Sequence, residues 1–318
     1  MIFFTPFVEI TTSSYCSINC LFCPQKLYYD GYTSGVKNPI RHMSMETFRR
    51  AIAWTPAGFE IRFSGFSEPY MNPLCTAMIL YAHEQKRNIG LFTTLIGASM
   101  DDIEAVMSVL SFRQNKDSLI IHLPSDDKTE HFIVNDSYLK MLRYVLSAKG
   151  DNIDIHYHGR DLRKEVKKVV LESKRKAFFI KLINRSGNVK LSDEPPPKRL
   201  HGSIRCTRLG MHEHVILPDG RVTLCCNDFG LKHVLGNIYK DDYASIKSGK
   251  EMKKIFQGQD DESIDILCRR CQFAVKKEVL EAASKAPYSL INKRKHLKLW
   301  KILQKKKQDL YLKEKPQP

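Results

Sequence analysis

Residues 15–25 read Tyr15-Cys16-Ser17-Ile18-Asn19-Cys20-Leu21-Phe22-Cys23-Pro24-Gln25, with three residues and then two between the cysteines. Three thiolates from one short loop can hold three irons of a cubane [4Fe–4S] cluster and leave the fourth iron open. An ordinary cluster takes four cysteines, so a three-cysteine loop points to an iron that binds something else. A zinc knot or three free thiols are the other readings of such a loop.

Outward from this loop, short apolar segments alternate with helical ones. Strands are expected at Phe7–Thr12, Glu60–Ser64, Gly90–Thr94, Ser118–Leu123, Asn152–Tyr157 and Ala177–Ile183. Helices are expected from the Ser44 cap, and over Asn72–Lys86, Met100–Ser111, Asp136–Ala148 and Arg160–Ser173. This rhythm predicts an α/β fold with a parallel sheet and helices outside. A parallel barrel places its ligands at the C-terminal ends of its strands. The three-cysteine loop directly follows the first strand, so it belongs at that face.

The pattern changes after Arg185. Pro195-Pro196-Pro197 cannot continue a helix or a central strand. The boundaries read as 1–189 for the barrel, 190–205 for a linker, 206–275 for a second module and 276–318 for a basic helical extension. Cys206, Cys225, Cys226, Cys268 and Cys271 all fall in the second module. Val215–Leu217 and Arg221–Leu224 read as two strands joined by Pro218-Asp219-Gly220. Such a hairpin returns Cys225 to the base of the unit, and the later C-x2-C is a two-ligand clip. Four cysteines of this kind suit structural zinc or a fully ligated [4Fe–4S] cluster.

The N-terminal loop, with Phe22 before its last cysteine, resembles the cluster loop of the radical S-adenosylmethionine (radical AdoMet) enzymes. The stretch PDGRVTLCC, the Gly236-Asn237-Ile238 turn and the C-x2-C clip resemble the C-terminal module called SPASM or twitch. The resemblance covers about residues 8–275 and is specific at the two cysteine sets. It implies a partial (β/α)6 barrel and an AdoMet-binding [4Fe–4S] cluster on Cys16, Cys20 and Cys23. It also implies one auxiliary [4Fe–4S] cluster on Cys206, Cys225, Cys268 and Cys271. Cys225 is preferred to Cys226 because it lies five residues after Gly220. Gly65-Phe66-Ser67-Glu68 stands where the family carries a Gly-Gly-Glu type motif for AdoMet. Phe66 and Ser67 depart from that pattern. The ends of later strands, at Thr93-Thr94, Ser125 and Arg185, are further candidates for ribose or carboxylate contacts. Asp228, beside a predicted ligand, is the candidate proton donor or base.

Composition sets the remaining expectations. The chain has 318 residues, 9 cysteines and 42% hydrophobic residues, enough for a core. No apolar run is long enough to span a membrane, and grouped, odd-numbered cysteines suit metal binding in a reducing cytoplasm. The net charge is +16, and residues 293–315 hold ten Lys or Arg against two acids. That balance suits an anionic partner, and the tail, with Leu297, Trp300 and Leu303, also suits docking on the protein or peripheral membrane contact. Asp154-Ile-His156-Tyr-His158-Gly159 fits a cobalamin signature, but a strand with His156 and His158 on one face accounts for it.

The expected function is reductive AdoMet cleavage and hydrogen abstraction from a small-molecule substrate. The first choice is oxidation or epimerisation of a sugar-like or nucleotide-linked, and potentially anionic, compound, with electrons from a flavodoxin or ferredoxin. A ribosomal-peptide maturase of the same family is the alternative. A zinc-stabilised nucleic-acid-binding protein is the rival from another class; the α/β rhythm speaks against it, so nucleic acid is not the expected partner.

Overall fold

The computed structural model describes residues 6–112, 116–127, 130–131, 133–189, 199–208 and 213–285. The basic tail at 293–315 and the proline run at 195–197 lie outside the described residues. Six strands alternate with helices in the first half. They are β1 (Phe7–Ile10), β2 (Glu60–Phe63), β3 (Ile89–Thr93), β4 (Ser118–His122), β5 (Ile153–Tyr157) and β6 (Ala177–Phe179). The helices are α1 (Gln25–Thr33), α2 (Met45–Trp54), α3 (Cys75–Glu84), α4 (Met100–Val109), α5 (Asp136–Ser147) and α6 (Lys164–Glu172). The strands pair in parallel in sequence order from β1 to β6. The sheet stays open at β6, so the barrel is partial, as expected.

The second unit contributes β7 (Ile204–Cys206), β8 (Val215–Ile216), β9 (Arg221–Thr223), β10 (Val234–Asn237), α7 (Tyr243–Ser248), α8 (Lys250–Asp260), β11 (Ala274–Lys276) and α9 (Lys277–Lys285). β7 starts inside the segment expected to be linker. β8 pairs in parallel with β1, while β9 and β10 follow antiparallel. One nine-stranded sheet in the order β10-β9-β8-β1-β2-β3-β4-β5-β6 therefore carries both halves of the protein. β7 and β11 form a separate small antiparallel pair.

The core follows strand alternation. Val8, Ile10, Ile61, Phe63, Leu91, Leu119, Ile121, Ile153 and Ile155 face the helices and are buried with Phe48, Met78, Ile79, Leu142 and Val166. The opposite face carries Glu9, Arg62, His122 and His156. It is the concave interior of the partial barrel. Helix starts are set by side-chain caps. Ser44 accepts from Thr47 N at 3.0 Å, Asn135 accepts from Tyr138 N at 2.9 Å, and Ser99 forms a reciprocal capping box with Asp102.

Helix α1 was not expected. It has no side-chain cap, begins after Pro24, and buries Tyr28 and Tyr32 against the second unit. Among the described residues, no helix is long and apolar enough to cross a membrane.

The capping box gives a direct test. Ser99→Ala removes one half of the box and is expected to lower unfolding free energy by about 1 kcal/mol in urea titrations.

Candidate iron–sulfur and AdoMet site

The first cysteine loop leaves β1 at the C-terminal end of the parallel strands. Ser14 N donates to Arg41 O at 2.8 Å and fixes the departure. Cys23 N closes a turn on Cys20 O at 3.0 Å, with Asn19 in the left-handed region at φ 51°. The loop thus folds back on itself and leaves Cys16, Cys20 and Cys23 half-buried. Burial, Glu68 and Cys23 push the Cys16 thiol up to about 11, against two backbone hydrogen bonds. Burial raises Cys20 too, with added repulsion from Cys23 and Cys16. Burial raises Cys23, opposed by the Gln25 amide at 3.2 Å and the Arg185 charge. The three sulfurs therefore lie within electrostatic reach of one another.

As free thiols they stay protonated at neutral pH, and a metal would displace their protons. Among the described residues, no group of three or more His, Cys, Asp or Glu is drawn together around one metal-ion position. A cubane differs from a single ion in that each thiolate takes its own iron. Soft sulfur donors are the ligand type that iron–sulfur clusters use, so the donor set fits.

The turn after β2 lies beside this loop. Gly65 has φ 82°, and a Cβ there would meet Thr11 Oγ1 at 2.2 Å. Thr11 Oγ1 accepts from Phe66 N at 3.2 Å. Gly65 therefore serves a close approach between the turn and β1. Phe66 is buried between Tyr28 and Phe229, each with its ring centroid 4.8 Å away. Glu68 is buried and accepts from Thr93 Oγ1 at 2.6 Å, Thr94 N at 2.7 Å and Thr94 Oγ1 at 2.8 Å. Burial raises its pKa, opposed by these hydrogen bonds. Glu68 thereby ties the turn after β2 to the end of β3. The hydroxyls of Ser64 and Ser67 are buried without a hydrogen-bond partner. Such orphaned groups cost free energy unless a ligand or water serves them.

In the second unit, Cys206 ends β7, Cys225 follows β9, Cys268 lies within the 3-10 turn Leu267–Arg270 and Cys271 caps its end. Burial raises the Cys268 pKa first, then Cys206, Cys271 and Asp228 add to it. Cys225 is raised by burial, with Cys226 and Cys268 adding. Cys226 faces a different neighbourhood. Its thiol is pushed up to about 12 by burial and Glu9, opposed by the Arg208 and Arg185 charges. Arg208 Nη1 donates to Cys226 Sγ at 3.8 Å and pairs with Glu213 at 3.3 Å. Cys225 and Cys226 lie at a turn that Asp228 N closes on Cys225 O at 2.9 Å, with Cys225 acted on by Cys268 and Cys226 by Glu9 and Arg208.

Asp228 is fully buried. It accepts from Thr223 Oγ1 at 2.7 Å, Lys232 N at 2.8 Å and His233 N at 2.8 Å. Those bonds fix the turn beside Cys225 and Cys268.

Residues 206–272 match the SPASM model, an iron-sulfur cluster-binding domain. Solved structures share the fold, and three of them are representative. BtrN in complex with AdoMet and 2-DOIA has a TM-score of 0.57 at 14% identity, covering 86% of this chain and 94% of its own. SuiB of Streptococcus suis bound to precursor peptide SuiA has a TM-score of 0.56 at 12% identity, covering 85% and 70%. The anSMEcpe structure with AdoMet and the Cp18Cys peptide has a TM-score of 0.52 at 14% identity, covering 83% and 85%. This chain has the radical AdoMet fold with a SPASM module. No curated protein matches it by sequence.

The SPASM module holds a residue that the sequence reading missed. His233 is fully buried. Its Nε2 accepts from Leu267 N at 3.0 Å, so Nδ1 carries the proton donated to Glu251 at 2.7 Å. This fixes the backbone leading into Cys268. Sequence offered no signal, because Leu267 and Glu251 are distant from His233 along the chain. Three more histidines gather in the concave interior of the radical AdoMet barrel. His122 stacks on His158 at 5.4 Å and meets His156 edge-on at 5.4 Å, while Phe22 of the cysteine loop packs on His158 at 4.4 Å.

Two measurements follow. Phe66→Ala is expected to cost about 3–5 kcal/mol of stability, read in urea unfolding. His122 is lowered from 6.5 to about 3 by burial, then by His158, His156 and Arg185. The unfolded chain thus binds a proton that the folded chain refuses. Stability is expected to fall as pH drops below 6.5 toward about 3, and His122→Gln should flatten that loss in unfolding curves taken across the range.

Proposed function

We propose that this protein is a radical AdoMet enzyme acting on a small, oxygen-rich molecule, oxidising or epimerising a sugar-like or nucleotide-linked substrate. The carrying observation is the pairing of a three-thiol loop at the C-terminal mouth of a parallel sheet with an iron-sulfur-binding module on the same sheet. Cys16, Cys20 and Cys23 would hold the AdoMet-binding [4Fe–4S] cluster. Cys206, Cys225, Cys268 and Cys271 would hold the auxiliary one. When bound, the first cluster would supply the electron for AdoMet cleavage, AdoMet the 5′-deoxyadenosyl radical that takes hydrogen from the substrate, and the auxiliary cluster an electron acceptor.

The chain's own residues do the positioning. Gly65, Phe66, Ser67 and Glu68 present backbone and hydroxyl groups to AdoMet, with Ser64 and Ser67 hydroxyls awaiting a partner. Glu68 acts through Thr93 and Thr94, which hold the rim of the site together. Neutral His122, His156 and His158 offer donors and acceptors to substrate hydroxyls without adding charge. Asp228 is assigned to shaping the auxiliary centre, with proton transfer as the further role to test. A flavodoxin or ferredoxin in the cytoplasm would supply electrons.

The mutual coverage with BtrN supports the small-molecule reading, since each chain nearly spans the other. The peptide-bound SuiB and anSMEcpe structures favour a second reading, maturation of a ribosomal peptide.

The test is metal and sulfide analysis after anaerobic reconstitution. About eight irons and eight sulfides per chain are expected, together with dithionite-dependent 5′-deoxyadenosine formation from AdoMet. Zinc in place of iron would sink the enzyme reading. Cys225→Ala is expected to halve the iron and Cys226→Ala to retain it; the opposite pattern would reverse the ligand assignment.

A further inference from the structure

We propose that Arg185 is the substrate-anchoring cation of this site, taking a carboxylate or phosphate group of the substrate in the space between the two cysteine sets. The inference rests on the radical AdoMet reading and adds to it the chemical class of the substrate.

Arg185 opens a one-turn 3-10 segment, Arg185–Gly187, after β6. Arg185 and Ser186 both take left-handed backbone angles, φ 48° and 57°. L-residues with a side chain avoid that region, so surrounding contacts must impose it. The SPASM module supplies them. Ser186 N donates to Gln272 Oε1 at 3.2 Å, and Asn188 Nδ2 donates to Asn227 O at 3.2 Å. Gln272 directly follows Cys271, and Asn227 directly follows Cys226. Both cysteine-bearing stretches therefore pin the backbone that carries Arg185.

The side chain lies against the module, and its charge is felt in both halves. Its guanidinium lies 5.7 Å from the centre of the Phe229 ring, on the module side. Its charge also reaches Cys23 of the first loop, Cys226, and the His122 and His158 rings. The other arginine that acts on Cys226, Arg208, is neutralised by Glu213 at 3.3 Å. Among the described residues, no carboxylate pairs with Arg185. A strained backbone thus presents a half-buried, unpaired guanidinium beside neutral imidazoles. A planar fork of donors suits a carboxylate or phosphate.

The experiment is equilibrium dialysis of labelled inorganic phosphate against the anaerobically reconstituted full-length protein, with and without AdoMet. Arg185→Asn removes the charge while Asn tolerates a positive φ, and Arg185→Lys keeps the charge without the fork. Wild type is expected to bind phosphate saturably, Arg185→Asn about tenfold or more weakly, and Arg185→Lys in between, with thermal melting and iron content unchanged. Equal affinity in Arg185→Asn, or no saturable binding by wild type, overturns the proposal. Full displacement of phosphate by AdoMet also overturns it, because the arginine would then serve the AdoMet carboxylate. Failure of the enzyme reading shows separately, as absence of AdoMet cleavage by wild type.

Discussion

The Phe66 ring is the contact on which the arrangement of both cysteine sets depends. It packs on Tyr28 of α1, just past the first loop, and on Phe229, just past Cys225 and Cys226. Burying an aromatic side chain of this size contributes about 2–3 kcal/mol, and oriented ring pairs add about 0.5–1.5 kcal/mol each. Because Gly65 brings the turn within reach of Thr11, the same few residues also fasten β2 to β1. The departure from the family motif at Phe66 thus has a packing reason.

Charge burial shapes the interior around that contact. Glu9, Arg208, Arg185 and Glu213 act on Cys226, whereas Cys225 keeps company with Cys268 and Asp228. Buried ion networks add little net stability but distinguish one arrangement from its alternatives. Two neighbouring thiols with the same chemistry are sorted in this way into different surroundings.

Much of the architecture was legible in the chain. Strand and helix alternation gave the parallel order, and the cap at Ser44 marks a helix start that local chemistry controls. The cysteine spacings marked the candidate site. What sequence could not show was long-range. Helix α1 carries Tyr28 and Tyr32 but has Gly31 within it and no capping side chain, so its stability comes from tertiary packing. The partners of Glu68 and His233 are set by the sheet and by distant loops. The pairing of β8 with β1 leaves no periodic signal, because strand order across a crossover is a property of the folded state.

That pairing has a mechanical consequence. Glu9 aligns with Val215 and Ile10 with Ile216, so the strand that launches the first cysteine loop is hydrogen-bonded to the hairpin that delivers Cys225. The sheet works as a ruler between the two cysteine sets. A slip of two residues, the smallest that keeps the same faces inward, would shift one strand against the other by about 6.6 Å. Hinge rotation between the halves is denied by the same ladder. The separation of the two cysteine sets is thereby held by the sheet itself.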